Sequence, residues 1–303
     1  MRRRALPDPS GADARRTGLL CLLVTSLGWG LNWPVMKQLL SQLPPLFARG
    51  SAGLAAAALL ALAAAAFGQS LRVPRRVWPR LVASSFVNVF AWMGFSTLAM
   101  RWLSAGQTAL LVYSMPVWAT LFAWPILGQR PSARAAAGLA LCLAGLWLLF
   151  AGQKGLPLDA GRLAGVALAL AAALLFGFGT VALRPIAELP ALALVAWQLV
   201  LGCLPMLVLG LAFERPDAAR VSPLGWALMA YMTIVPMGLC YLTWFAALRR
   251  LPPATASVAT LLTPVIGVCA AAAALGEPFG AREAAALLMT LGGVTLALRR
   301  ADK

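Results

Sequence analysis

Polar and aromatic residues recur at helical spacing inside a long apolar run at 79–100. Ser85, Asn88, Trp92 and Ser96 follow one another there at intervals of three or four residues, so an α-helix would place them on one face. An amide or hydroxyl group in an apolar helix costs free energy unless it faces a polar partner or a cavity. Such a face could bind the amino or carboxylate group of a small solute, and its indole could contact an aromatic ring.

Four further apolar runs carry similar sets, around positions 29–33, 108–118, 231–244 and 260–264. We predict that these faces line one central cavity. The residues predicted to contact a solute there are Trp29, Asn32, Ser85, Asn88, Trp92, Tyr113, Ser114, Trp118, Tyr241, Trp244 and Thr263. Anchoring of the aromatic rings at the membrane interface, and bonding of the hydroxyl groups within or between helices, are the alternative interpretations.

Glycine and proline interrupt the same runs. Glycines two residues apart suit the close approach of neighbouring helices. A proline inside a helix removes a backbone hydrogen bond and kinks the helix, which exposes carbonyl groups. We predict hinge or gate roles, with helix packing as the alternative, for Gly28, Gly30, Pro116, Gly177, Gly179, Pro236 and Pro264.

The composition indicates a membrane protein. The 303 residues are 61% hydrophobic and 11% charged, with a mean hydropathy of +0.84, whereas soluble domains have about 45–50% apolar and about 25% charged residues. A soluble enzyme and a disordered chain are therefore excluded. A spanning helix needs about 20 apolar residues. The apolar runs predict ten spans, at 17–40, 44–67, 79–100, 104–127, 132–151, 162–184, 190–213, 222–248, 252–275 and 280–299.

Basic residues determine the predicted orientation. The net charge is +16, and most Lys and Arg residues fall in the tails and in alternate loops. The positive-inside rule then places both termini in the cytoplasm of a bacterial cell, with the chain in the inner membrane. This distribution accounts for the charge without nucleic acid, because the arginines would lie against anionic lipid. Lys37 and Arg49 flank a hairpin on the opposite side, and are predicted to extend to the head groups; attracting an anion is the alternative.

The chain contains an internal repeat with an offset of 148 residues. Pro116, Gly128 and Gly145 recur as Pro264, Gly276 and Gly293. Five helices per repeat is an odd number, so the second repeat would enter the membrane from the opposite face. We predict an all-α membrane protein with ten transmembrane helices in two inverted five-helix repeats. The predicted units are a cytoplasmic tail at 1–16, a first repeat at 17–151, a periplasmic connector at 152–161, a second repeat at 162–299 and a cytoplasmic tail at 300–303.

These repeats resemble the EamA type of the drug/metabolite transporter superfamily. Each repeat has a GWG or GFG turn in its first helix, a Pro-Val pair in its fourth helix, and a Gly-Gln or Gly-Glu ending, at Gly128-Gln129 and Gly276-Glu277. Within the superfamily the chain looks most like the YddG-type exporters of aromatic and other neutral amino acids. Gln129 departs from the family pattern, which usually has glutamate there. The resemblance implies export of such amino acids by alternating access.

The absence of histidine and the position of the acidic residues limit the mechanisms that the chain could use. The chain has no histidine, and its five cysteines lie in apolar runs without C-x-x-C spacing, so we predict no metal site, no cofactor and no enzymatic activity. Glu188, Glu214 and Glu277 lie at or beyond the ends of predicted helices, and no acidic residue lies in the middle of a span. We therefore predict facilitated transport. Since one chain contains both repeats, we predict that it functions as a monomer. Proton coupling, export of another metabolite or a drug, and a channel are the alternatives.

Overall fold

The computed structural model describes residues 12–150, 159–252, 255 and 260–298. Every regular element in this part of the chain is helical. Helices satisfy their own backbone hydrogen bonds, which an apolar surrounding requires. The helices are α1 (Ala12–Leu39), α2 (Pro45–Ala66), α3 (Arg75–Ala99), α4 (Ala105–Leu127), α5 (Ala133–Phe150), α6 (Ala160–Ala182), α7 (Ala191–Phe213), α8 (Pro223–Leu248), α9 (Leu262–Leu275) and α10 (Ala281–Leu298).

Seven of these helices, α1–α4 and α6–α8, are long and apolar enough to cross a membrane, and α5 and α9 are shorter apolar helices. The chain is therefore a multi-pass membrane protein. Most helix ends lie within a few residues of the predicted spans. α1 differs, because it begins at Ala12 and includes the end of the predicted tail at 1–16. The predicted tail at 300–303, residues 152–158 of the connector and part of the ninth span lie outside the described residues.

Two helix pairs make the most extensive contacts, α2 with α7 and α5 with α10. Glycines bring the backbones of α5 and α10 together. A Cβ on Gly138 would lie 2.6 Å from the carbonyl oxygen of Gly293, and a Cβ on Gly145 would lie 2.9 Å from that of Ala286. Small residues at such contacts provide the packing that associates helices in lipid.

Replacing Gly293 by valine is expected to separate α5 from α10. A Cβ there would lie 2.5 Å from the Gly138 oxygen and 2.6 Å from the Cys142 nitrogen, and neither backbone atom can move independently. We expect a loss of about 2–3 kcal/mol in the free energy of unfolding, visible as a lower thermal unfolding midpoint in detergent. Gly292→Val is the matched control, because its nearest neighbour is the flexible side chain of Leu141 at 3.6 Å. Equal destabilisation by both substitutions would contradict this prediction.

Three helices are irregular where the predicted polar stripes lie. α3 is a π-helix over Phe86–Phe95, and α8 is a π-helix over Val235–Leu239. α4 is interrupted between its segments Ala105–Val112 and Met115–Leu127. A π-helical turn shifts the register of the side chains that follow it. The regular α-helical face expected along α3 is therefore not kept.

The bundle has two ends, which we name after residues in their connections. The Glu277 end carries the connections α1–α2, α3–α4, α7–α8 and α9–α10, and the Arg130 end carries α2–α3, α4–α5 and α6–α7. Gly128 terminates α4 at the Arg130 end and Gly276 terminates α9 at the Glu277 end, with φ of 70° and 66°. Glycine suits this left-handed cap because it has no Cβ.

Candidate functional site

Three aromatic rings pack between α1 and α8 and form what we call the Trp29 group: Trp29, Tyr241 and Trp244. The centroid of the Trp29 ring lies 5.8 Å from each of the other two. Trp29 Nε1 donates a hydrogen bond of 2.9 Å to the carbonyl oxygen of Pro236, in the π-helical turn of α8. This bond fixes the orientation of the indole, so its π-face is the part that can contact a solute.

A second set of rings, the Tyr113 group, joins α1, α3, α4 and α6 through Trp33, Trp92, Tyr113 and Phe176. The Tyr113 centroid lies 6.1 Å from that of Trp33 and 6.0 Å from that of Trp92, and the Trp92 and Phe176 centroids are 4.7 Å apart. Tilted and edge-on pairs at such distances are favourable. Trp29 and Trp33 are one turn apart on α1, so the two groups are neighbours along that helix.

One buried polar atom near these rings, Asn32 Oδ1 on α1, has no hydrogen-bond partner in the described part of the chain. Tyr113 interacts with Thr263 and Trp33. A buried polar atom without a partner costs about 1–3 kcal/mol, so the amide oxygen of Asn32 is an atom that a bound polar solute would satisfy. Asn88 on α3 is half-buried.

Other predicted contact residues direct their polar groups into the protein. Ser85 Oγ donates to the carbonyl oxygen of Leu81 at 2.6 Å. Ser114 Oγ donates to that of Leu111 at 2.6 Å and accepts a bond of 3.0 Å from Trp118 Nε1. Hydroxyl groups in helices commonly bond backwards in this way. Solute contact by Ser85, Ser114 and Trp118 stays a prediction.

The predicted hinge residues lie at tight or irregular positions. A Cβ on any of the four glycines would crowd another helix: Gly28 near Cys240 of α8, Gly30 near Ile266 of α9, Gly177 near Ala119 of α4 and Gly179 near Val87 of α3. The three prolines lie where helices restart or deviate: Pro116 in the second segment of α4, Pro236 in the π-helical turn of α8 and Pro264 at the start of α9. Packing is therefore one role of the glycines, and hinge motion stays a prediction.

Glu277 closes one end of the bundle by capping a helix from the other half of the chain. Its Oε1 and Oε2 accept hydrogen bonds of 2.6 and 3.0 Å from the backbone N–H groups of Ala105 and Gly106, the first two residues of α4. The free N–H groups at a helix N-terminus carry partial positive charge. A carboxylate is therefore a strong partner for them.

Glu214 does the same for α2. Its Oε1 and Oε2 accept hydrogen bonds of 3.1 and 2.9 Å from the backbone N–H groups of Leu46 and Phe47. A third contact across the halves links Gln42 to the α7–α8 connection, where Gln42 Oε1 accepts a hydrogen bond from Ser222 N at 2.9 Å. Both carboxylates lie at helix ends, as the sequence predicts, but they are engaged in contacts between the two halves.

Lys37 also makes contacts at the Glu277 end. Its Nζ donates to the carbonyl oxygens of Met100 and Leu103 in the α3–α4 connection, the latter at 2.9 Å. These carbonyl oxygens accept hydrogen bonds from the ammonium group, and contact of Lys37 with the head groups stays a prediction. A cavity of about 690 Å³ opens beside it, with Lys37, Gln42, Arg101 and Glu214 in its lining.

At the Arg130 end, an ion pair between side chains joins the two halves. An ion pair of 2.5 Å joins Arg80 of α3 to Glu188 in the α6–α7 connection. The pKa of Glu188 is lowered by its backbone N–H and by Arg80. Ion pairs accessible to water contribute little to stability. A groove of about 460 Å³ also lies at this end, lined by residues such as Thr120, Trp124 and Arg130.

The structure places two further residues at these rings or near them, Phe176 and Gln198, which belong to none of the polar and aromatic sets read from the sequence. Trp33 follows Trp29 by one turn and belongs to the set at 29–33, so its spacing is a usable signal. Phe176 had no such signal, since it looks like any apolar residue of a spanning helix. Gln198 of α7 donates to Ser84 of α3 at 3.1 Å, and a mid-helix amide could have been noticed.

Comparison with known proteins gives a consistent result. The model of the EamA-like transporter family matches residues 16–151 and 163–299. A protein of Bacillus subtilis named "Uncharacterized transporter YvbV" is 27% identical, over 93% of this chain and 91% of that protein. A Salmonella typhimurium protein named "Probable amino-acid metabolite efflux pump" is 27% identical, over 93% of this chain and 94% of that protein.

A solved crystal structure matches with a TM-score of 0.66 at 21% identity, covering 95% of this chain and 97% of its own, which shows a shared fold. The family model covers both halves of the chain and well over half of its length. The aromatic groups and the glutamate caps therefore lie within one family fold. This chain is a membrane transporter that belongs to the EamA-like transporter family.

Proposed function

We propose that this protein exports neutral amino acids, aromatic ones included, across a bacterial inner membrane. The observation that carries the proposal is the pair of aromatic groups beside the unpaired amide oxygen of Asn32 and the hydroxyl group of Thr263. Rings suit an aromatic side chain, and an amide and a hydroxyl suit the polar groups of an amino acid. The relatives in Salmonella typhimurium and Escherichia coli whose names mention amino-acid metabolite efflux support this substrate class.

Alternating access of two inverted five-helix halves is the mechanism we propose. Contacts that correspond by the offset of 148 residues support it. Gly138 meets Gly293 while Gly145 meets Ala286, and adding 148 to 138 and to 145 gives 286 and 293. The π-helical turns of α3 and α8, and the glycine caps of α4 and α9, correspond in the same way. Such a build is common in secondary transporters with a binding site near the midplane.

In this proposal the Glu277 end faces the periplasm and is closed in the conformation described here. Glu214 and Glu277 belong to the second half and cap helices of the first half. Opening this end would break both caps. The residue 148 positions before Glu277 is Gln129, whose amide has no charge. A cap of this type at position 129 would be weaker, which favours opening at the cytoplasmic end.

The positions of the Asp and Glu residues are compatible with two ways of driving export. Every Asp and Glu of the described spans lies near a helix end, which supports facilitated export down a gradient. Proton-coupled export is the second candidate, because Glu214 and Glu277 must release their N–H partners when the end opens. Protonation would weaken the caps, since a neutral carboxyl group is a poorer acceptor.

Counterflow in liposomes tests the proposed function. We expect purified protein to exchange labelled phenylalanine for unlabelled neutral amino acids, and Asn32→Ala to raise the half-saturating concentration about tenfold. Ser132→Ala is the matched control, because Ser132 lies at the Arg130 end, away from the rings. Absence of exchange with every neutral amino acid would refute the substrate class. Ion currents in a bilayer without exchange would identify a channel instead.

A further inference from the structure

Arg49 is a buried cation in the membrane-spanning helix α2. It lies just over one turn from the start of the helix, yet its exposed fraction is only 7%. Its Nε is buried and has no hydrogen-bond partner among the described residues. The sequence-based expectation that Arg49 reaches the lipid head groups is therefore wrong, because the helix turns this side chain into the bundle.

The surroundings of Arg49 do not neutralise its charge. The titratable side chains near its guanidinium are Cys203, in the middle of α7, and Tyr241 of α8. Thiols and phenols are uncharged at neutral pH. Glu214, which caps the start of the same helix, already accepts two backbone N–H groups. An isolated buried cation is costly, so its retention points to a partner that arrives from outside.

The position of Arg49 relative to the Trp29 group indicates which kind of partner fits. Tyr241 belongs to the Trp29 group, so a solute that touches Arg49 would also meet that group. Gly53, one turn after Arg49, is close to Cys203 and to Met237 of α8, which places this part of α2 against both helices. A planar guanidinium binds a carboxylate through two parallel hydrogen bonds.

We infer that Arg49 binds the carboxylate group of the transported solute, while the Trp29 group contacts its apolar side chain. The inference deepens the proposed amino-acid export and rests on it. A carboxylate then strengthens binding, and amides, esters and amines with the same side chain bind more weakly.

Ligand binding to the purified full chain tests this role, read as the shift of the thermal unfolding midpoint against ligand concentration. The ligands are two matched pairs, L-phenylalanine with L-phenylalaninamide and phenylacetate with phenylacetamide. We expect the unmodified protein to bind each acid more tightly than its amide. Arg49→Gln is expected to weaken binding of the acids by about 30-fold or more and to leave the amides unchanged. Arg49→Lys keeps the charge and is expected to retain part of the affinity.

Arg101→Gln is the control, because Arg101 is an exposed arginine at the same end of the bundle. Equal losses for acids and amides in Arg49→Gln would indicate a folding defect and overturn the inference. So would equal binding of acid and amide by the unmodified protein, absence of binding of either acid, or stabilisation by chloride alone that matches that of the acids.

The two proposals can fail separately. Phenylacetate binding that depends on Arg49, without binding or exchange of any amino acid, would support the carboxylate site and refute amino-acid export. Phenylalanine exchange in liposomes that is unchanged in Arg49→Gln would support export and overturn the role of Arg49.

Discussion

Replacing Glu277 by glutamine is expected to open the Glu277 end of the bundle. The carboxylate accepts hydrogen bonds from the N–H groups of Ala105 and Gly106, whereas the amide would offer one oxygen and no charge. Hydrogen bonds to charged groups contribute about 1.5–3 kcal/mol each. A loss of about 2–3 kcal/mol corresponds to roughly a 30- to 150-fold rise in the open population.

Backbone hydrogen–deuterium exchange measures this opening. We expect faster exchange at Ala105 and Gly106 in the Glu277→Gln variant, and also at Leu46 and Phe47, which Glu214 caps on another helix. The second effect distinguishes a gate from a simple helix cap, because local fraying of α4 would leave α2 unchanged.

Glu283→Gln is the matched control for this experiment. Glu283 lies at the same end and carries the same charge, but it accepts from Gly280 N and pairs with Arg282 within its own half. We expect its exchange pattern to match that of the unmodified protein. Faster exchange confined to Ala105 and Gly106, or identical patterns in both variants, would show that Glu277 does not act as part of a gate.

Replacing Trp92 by alanine is expected to lower the affinity for aromatic amino acids. Trp92 connects Tyr113 to Phe176, and its removal would leave a gap in the Tyr113 group. Loss of a large aromatic contact is worth about 2–3 kcal/mol, or roughly 30- to 150-fold in the half-saturating concentration. Counterflow in liposomes with phenylalanine and with alanine measures the effect, and we expect a much smaller change for alanine.

Two variants separate binding from folding in this test. Tyr113→Phe keeps the ring contacts with Trp33 and Trp92 and removes only the hydroxyl, so we expect a change of about tenfold or less. Trp147→Ala removes an indole that is 72% exposed on the outside of the bundle, and is expected to leave the kinetics unchanged. A loss in Trp92→Ala that is the same for phenylalanine and alanine would contradict the proposed contact.

Several features of this protein follow from its sequence alone. Long apolar runs predict helices because lipid cannot satisfy free backbone groups, and the helices form where those runs lie. Glycine at 128 and 276 predicts helix ends because the left-handed cap favours it, and both helices end there. The family was also readable from the repeated motifs. These features depend on the residues of one short segment and on whether that segment lies in lipid or in water. Both can be read from the sequence of the segment.

The candidate site was only partly predictable. Trp29, Tyr241 and Trp244 were predicted to line a common site, and they do pack together. The hydroxyl of Ser85 instead donates to its own helix, because a backbone carbonyl one turn away is always within its reach. A periodic pattern gives the direction of a side chain in a regular helix, and it fails where a π-helical turn shifts the register.

The partners of the charged residues were decided by the tertiary structure alone. The sequence placed Glu277 and Glu214 at helix ends, but the N–H groups they cap belong to helices more than 160 residues away. It placed Arg49 near a membrane surface, and packing of α2 against α7 and α8 turned its guanidinium inward. Hydropathy determines which segments enter the membrane. Which charge meets which partner depends on how the helices pack, because contacts between distant segments leave no periodic signal in a single chain.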